Sequence, residues 1–442
     1  MSPQKPSRPT EPHTPQRIQL AQLLHPTHPL VKLAQALDWS VFETQFEPLY
    51  DPSKGRPGLP TRLLVGLHYL KHLFDVSDET VVQQFVENAY WQYFCGFEYF
   101  QHERPCHPTS LVKWRKRVGA EQMERLLQET LEAAKRVGAL RPQEIRQVHV
   151  DTTVQEKAIA FPTDARLYHK ARQALVTAAQ RAGIRLRQST VRLSKWALAQ
   201  QSRYAQAKQW KRARKQTRKL RTYLGRVLRD LRRRCAQPGE QLGSLLQVAQ
   251  RIYRQQRTDK GKVYSVHAPE VECICKGKAH KRYEFGCKVA LATSARRGWV
   301  LGIQAVSGNP YDGRTLAPVL EQVQRLTGVK VRQAFVDRGF RGQEHHPPGV
   351  EVYLSGRRKL SRTLKLLLRR RSAIEPVIGH LKADHRMERN PLLGTAGDRI
   401  QALLTGCGFN LRKLWRAFAQ LLLRWLLALT GHARQTSILP CA

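Results

Sequence analysis

Acidic residues are scarce in this chain of 442 residues: 34 Asp and Glu stand against 76 Lys and Arg, for a formal net charge of +42. Such an imbalance opposes compaction unless a polyanion neutralises it, which makes nucleic acid the leading partner. An anionic membrane surface is the competing reading, but a peripheral membrane protein concentrates its charge in a polybasic tail or an amphipathic helix. Long uncharged apolar runs are also missing. The greasiest stretch, Ala402 to Leu429, is interrupted by Arg412, Lys413, Arg416 and Arg424. It falls short of the roughly 20 uncharged residues a bilayer crossing needs and reads as a buried amphipathic helix. The opening MSPQKPSRPTEPHTPQR has no apolar core of a secretory signal, so a cytoplasmic, nucleoid-associated protein with no membrane partner is expected. No phosphate-binding glycine loop is present, which excludes chemistry driven by that type of nucleotide site. Eight cysteines, scattered from Cys95 to Cys441, include no Cys-x-x-Cys pair and predict free thiols rather than a disulfide framework. Cys273 and Cys275, with His280 and Cys287 nearby, admit a zinc reading, which simple alternation along a strand explains as well.

What is present fills two or three domains: 41% of the residues are hydrophobic and the chain is too long for one ordinary core. Residues 1–15 are proline-rich and expected to be a disordered tail. A helical N-terminal domain is expected over 16–143. Leu63, Leu67, Leu70 and Phe74 repeat at helical spacing, and Ser77-Asp78-Glu79 opens a helix whose apolar face, Val81, Phe85, Ala89 and Tyr93, runs until Gly96. A third helix starts at Pro108 and carries the basic run LVKWRKRVG, with Lys113 and Arg115 as candidate DNA contacts; EQMERLLQETLEAAKRVG follows as an amphipathic helix. This order fits a helix-turn-helix-like DNA-binding domain, and a purely structural bundle reads the same way.

Alternation replaces helical spacing at RQVHVDTTV, where a strand carries Asp151. A basic helical insertion is expected over 165–261. Arg166 to Arg234 holds about twenty basic residues and a single acid, Asp230, with glycine and proline nearly absent. Lys211, Arg212, Arg214 and Lys215 lie in its densest part; a solvated face competes with nucleic-acid contact there, but so many uncompensated charges repel one another unless phosphates lie between them. Strands resume in KRYEFGCKVALATS and GWVLGIQAVSG, a hairpin by spacing. NPYDGRTLAPVLEQVQRLTG then predicts a turn and a helix with Asp312 near its start and Gly328 past its end. VRQAFVDRGF is a strand running into Asp337, EVYLSG is a shorter strand, and a helical stretch holds Glu375. The segments 144–164 and 262–400 therefore form an α/β core, followed by a C-terminal helical segment, 401–442.

Chemistry follows from where the acids fall. Asp151 and Asp337 each place a carboxylate beside buried strand residues, where an unpaired charge costs several kcal/mol unless a cation compensates it. A lone strand-end Asp is ordinarily a turn or salt-bridge residue. Two on neighbouring strands, joined by Glu375 from a helix, make a hard-oxygen site suited to Mg²⁺ or Mn²⁺, with two ions allowing in-line phosphodiester displacement. Glu375 also completes Ser372-Ala373-Ile374-Glu375, the pattern of a capping box at a helix start, and both roles stand open on this fragment.

Here the chain resembles the DDE transposases of bacterial insertion sequences, of the groups numbered four and five, over nearly its whole length. LPTRLLVGLHYLKHLFDVSDETVVQQFVENAYWQYFCGF resembles their helical N-terminal domain, VHVDTTV and FVDRGF their two catalytic strands, and RSAIEPVIGHLK the motif Arg-x3-Glu-x6-Lys, matched by Arg371, Glu375 and Lys382. The resemblance implies an RNase H-like mixed sheet with flanking helices, a catalytic and metal-binding triad of Asp151, Asp337 and Glu375, and Arg371 and Lys382 as contacts to the DNA backbone. It implies double-stranded DNA, both element ends and target, as substrate, handled by a homodimer. Some relatives carry tyrosine three residues before the arginine; Leu368 stands there in this chain, so base stacking does not carry over. Glu284 and Asp312, in segments that also look family-like, read as structural, Asp312 as a helix-start residue, with support of the metal site as the lesser alternative for either. A metal-dependent nuclease without strand transfer, or a nucleic-acid-binding protein without catalysis, are the alternatives.

Overall fold

The computed structural model describes residues 18–51, 53, 57–275, 282–357 and 359–429, with side chains described as far as Gln420. The tail 1–15, His280 of the zinc reading, and residues 430–442 fall outside the described residues.

Helices α1 (Leu20–Leu23), α2 (Pro29–Ala36) and α3 (Ser40–Phe46) lead to α4 (Thr61–Leu73), which is buried on every side from Leu63 onward and so acts as a central rod rather than a surface helix. Ser77 caps α5 (Asp78–Glu87) by accepting from the Thr80 N–H at 3.1 Å. The helix expected to continue to Tyr93 breaks at Asn88, whose side chain accepts from the Trp91 N–H and starts α6 (Ala89–Phe94). In α7 (Pro108–Arg136) the two expected helices are joined end to end, with a kink at Gly119, where φ is 72° and glycine meets no steric penalty.

After α8 (Pro142–Ile145) comes β1 (Gln147–Glu156), then the insertion: α9 (Asp164–Arg181), α10 (Val191–Gln206), α11 (Trp210–Arg234) and α12 (Glu240–Arg254). These four helices bury a core of their own, including Leu175, Leu224, Leu231 and Ile252. On α11 the stripe Leu220, Leu224, Val227, Leu228 and Leu231 faces that core at helical spacing, and Lys211, Arg212, Arg214 and Lys215 stay exposed.

The chain returns through β2 (Glu272–Cys275), β3 (Tyr283–Ser294), β4 (Val300–Val306), α13 (Leu316–Thr327), β5 (Gln333–Val336), β6 (Glu351–Leu354), α14 (Arg362–Arg369), α15 (Ile374–Asp384) and α16 (Gly394–Leu429). One sheet results, in the order β2-β3-β1-β5-β6, with β4 sharing the outer edge of β3. The hairpin β3–β4 and the pair β1–β3 are antiparallel, whereas β5 and β6 run parallel to β1. β3 crosses close to β1 because Gly286 has no side chain: a Cβ there would lie 1.9 Å from the Gln155 carbonyl oxygen. A single continuous core joins Phe42, Leu67, Phe85 and Leu127 of the N-terminal helices to Val148, Val150, Val289 and Ile303 of the sheet and to Leu404 and Leu411 of α16. The boundary expected at residue 143 is thus no break in packing. Among the described residues, no helix is long and apolar enough to cross a membrane.

The capping box expected at Ser372 does not form. Helix α14 has its own start, with Ser361 accepting from the Leu364 N–H, and runs through a tight turn, Arg370–Ala373, into α15. The backbone reaches Glu375 already helical, so its N–H groups find carbonyl partners upstream, and the Ser372 hydroxyl donates to the Arg369 carbonyl at 3.2 Å.

Candidate active site

Parallel pairing sets Gln147, Val148 and His149 of β1 opposite Gln333, Ala334 and Phe335 of β5. Two residues further along each strand come Asp151 and Asp337. Strand alternation sends Val148 and Val150 into the core and leaves His149 and Asp151 on the other face. β5 ends at Val336, so Asp337 stands where that strand leaves the sheet, its Oδ1 accepting from the Gly339 N–H at 2.8 Å. Open α/β sheets place their sites at this kind of position, outside the carboxyl ends of parallel strands.

Helix α14 lies over the same face. The His149 ring meets Phe335 edge-on and its Nε2 donates to the Leu367 carbonyl at 3.1 Å; burial holds this imidazole down to about 4, against the pull of that hydrogen bond. Leu368 packs beside Phe335, Tyr353 and Leu367, so the position held by tyrosine in some relatives serves packing here. Helix α15 continues along β1. Its approach brings Arg371 to 3.4 Å from Asp151 Oδ2, both side chains only 18% exposed, which supplies the compensating cation that a half-buried strand carboxylate requires. Glu375 sits in the first turn of α15 and is exposed. Lys382, in the last turn of that helix, is largely covered and faces Glu284 Oε1 at 3.6 Å.

Asp312 does more than start a helix. It opens the turn Asp312–Thr315 ahead of α13, as expected, but its Oδ1 accepts from Thr152 Oγ1 at 3.1 Å and lies 2.8 Å from Lys288 Nζ. The signal in the sequence was Lys288, a lone cation inside the apolar run CKVALAT of β3; such a charge needs an acid nearby.

Among the expected DNA contacts, Arg115 requires correction. It is 3% exposed, bonds Asp78 through two nitrogens at 3.0 and 2.6 Å, and sets a third contact on His68 Nε2 at 3.1 Å. A guanidinium so committed and buried inside the helical domain is out of reach of a DNA phosphate. Lys113, two residues earlier on the same helix, is exposed. On β2, Cys273 and Cys275 flank the buried Ile274, so strand alternation accounts for their spacing, and Cys287 on β3 is buried.

Among the described residues, no three His, Cys, Asp or Glu side chains converge tightly enough to hold an ion by themselves. The donor set at the strand ends still fits a hard divalent cation. Mg²⁺ is commonly bound by one or two carboxylates plus waters and substrate phosphates rather than by an all-protein cage, and Asp151 and Asp337 are two such carboxylates, each partly exposed. A groove of about 1490 Å³ elsewhere, lined by Phe161, Lys170, Arg181 and Tyr264 among others, contains none of these acids.

Two family models match the chain: the Transposase domain (DUF772) over residues 18–117 and the Transposase DDE domain over residues 254–411. The second span contains Asp312, Asp337, Arg371, Glu375 and Lys382, while Asp151 lies outside both. An uncharacterized protein, ORF8 in the nfe locus of Rhizobium meliloti, is 54% identical over 181 residues, which is 41% of this chain and 87% of that relative. No solved structure matches. Together the two models span more than half of the sequence, and the chain belongs to the DDE transposases, metal-dependent enzymes that cut DNA and move it.

Proposed function

We propose that Asp151, Asp337 and Glu375 form the metal-binding triad with which this transposase cuts the terminal inverted repeats of its own insertion sequence and joins the free 3′-hydroxyls to target DNA. The observation that carries the reading is the register of β1 and β5, which brings Asp151 on β1 beside the end of β5, where Asp337 follows, while α15, bearing Glu375, packs along β1. Antiparallel β3 beside β1, itself paired antiparallel with β2 and β4, and parallel β5 and β6 on the other side also support an RNase H-like core, and the Arg371, Glu375 and Lys382 spacing supports membership of insertion-sequence groups four and five.

Divalent cations, Mg²⁺ or Mn²⁺ and two in number, would when bound activate the attacking oxygen and offset charge on the leaving oxygen. The chain's own residues set the frame for that chemistry. Asp151 and Asp337 supply anionic oxygens, and Arg371 balances Asp151 and is placed to meet a phosphate oxygen. The exposed cations Arg362, Lys365 and Arg369 of α14 extend positive charge along the same face. Lys382 reaches a DNA phosphate by exchanging its 3.6 Å contact with Glu284 for one with the backbone. No energy-rich cofactor is required, since transesterification conserves the phosphodiester bond. Handling two ends in one event calls for a homodimer on DNA in the cytoplasm.

The test is end cleavage and joining with the element's flanking DNA and Mg²⁺. Asp151→Ala, Asp337→Ala and Glu375→Ala should each lower both steps by at least about a thousandfold while leaving DNA binding in place. Cleavage without joining would favour a nuclease. Variants as active as the wild type would overturn the triad.

A further inference from the structure

Asp312 has no assigned part in the reaction, yet its carboxylate neighbours that of Asp337. A Cβ added at Gly339 would lie 2.9 Å from Asp337 Oδ1 and 3.1 Å from Asp312 Oδ2, so both acids flank the same point and any larger side chain there would push them apart. On its other oxygen Asp312 holds Thr152, the residue after Asp151, and Lys288, whose ammonium also donates to the Pro310 carbonyl at 2.6 Å. The flanking turns interlock as well: the Tyr311 hydroxyl donates to the Arg341 carbonyl at 2.8 Å, and the Tyr311 ring lies against His345. The segment that begins with Asp312 is thereby latched to the turn that begins with Asp337.

We propose that Asp312 is a fourth carboxylate of the site, a positioning residue that fixes the Asp337 turn and sets the local charge through its pairing with Lys288; the proposal rests on the reading of Asp151 and Asp337 as metal-binding. Lys288 offsets the repulsion between two neighbouring acids. Removing the acid alone leaves an uncompensated ammonium, about 10% exposed, beside a cation site, and an added positive charge there opposes a divalent ion. Removing both partners restores the balance.

The test measures Mn²⁺ binding to the full chain without DNA, by calorimetry or by the electron paramagnetic resonance signal of the free ion, next to a melting curve in metal-free buffer. Asp312→Asn should weaken Mn²⁺ binding by about tenfold or more, and the Asp312→Asn/Lys288→Met double variant should recover most of the loss. If Asp312→Asn does not fold, Thr152→Val, which removes only the hydroxyl that holds Oδ1, should weaken binding in the same direction. A lowered melting midpoint with unchanged Mn²⁺ affinity, while Asp337→Asn does weaken binding, overturns the proposal and leaves the triad standing. Unchanged affinity in Asp151→Asn and Asp337→Asn overturns both.

Discussion

Burial drives the His68 imidazole down to about 3, and the Arg115 guanidinium beside it adds to the effect. The neutral ring fits its surroundings: Nδ1 donates to the Leu64 carbonyl at 2.7 Å and Nε2 accepts from Arg115 at 3.1 Å. A proton added to this ring would face Arg115 with like charge and no water. Because the folded-state value is lowered, the unfolded chain binds the proton first; stability is complete above the ordinary histidine value near 6.5 and is lost as pH falls from there toward 3. The ceiling on this contribution is roughly 5 kcal/mol. Thermal melts should show wild type losing stability from about pH 7 to pH 4 and His68→Gln losing less; parallel curves would place the acid lability elsewhere. Arg115 also marks a limit of reading charge from sequence. Its neighbour Lys113 has the same sign and the same basic run around it, but one side chain points inward to Asp78 and the other outward. Which face of α7 meets α4 depends on packing far away in sequence, so the run alone made both look like DNA contacts. Asp151 and Asp337 were legible for the opposite reason, since a carboxylate inside an alternating apolar run is rare without a task.

At the scale of elements, the apolar stripes were the reliable signal. The hairpin β3–β4, the helix ending at Gly328, and the helical character of the insertion all follow from periods of two or 3.6 and from turn residues. Boundaries set by side-chain caps were less legible. Asn88 divides one apolar face into two helices by a single hydrogen bond, and the Ser-x-x-Glu pattern at Ser372 fails because a helix is already under way. The four cations at the start of α11 stand apart from the Leu220 to Leu231 stripe, so they can be changed without touching the insertion core. Replacing Lys211, Arg212, Arg214 and Lys215 together with Gln should leave the melting midpoint within a few degrees. It should also reduce the slope of log affinity against log salt by up to about four units on end DNA. An unchanged slope would assign these charges to a solvated face.

For the molecule as a whole, the separation of contacts is what hid the architecture. Gln147 bonds Gln333 across 186 positions, and the four-helix insertion stands between the first acid and the rest of the sheet. Alternation announces a strand but not its neighbour, so the sequence order of the acids suggested a common site while their registry came only from the paired strands. The same holds for the N-terminal helices, whose apolar faces were legible but whose continuity with the sheet depends on α16 filling the space between. Asp312 joined the site for this reason too: its partners Thr152 and Lys288 lie 160 and 24 positions away. The central claim is that strands β1 and β5 and helix α15 converge on shared divalent ions when DNA is bound. Anomalous scattering from Mn²⁺ in crystals of the full chain with a cleaved element end tests it most directly. The account predicts manganese peaks between Asp151 and Asp337, with the Glu375 carboxylate and a DNA phosphate completing the shell; manganese bound away from both aspartates, or a Glu375 side chain still turned to solvent, would contradict it.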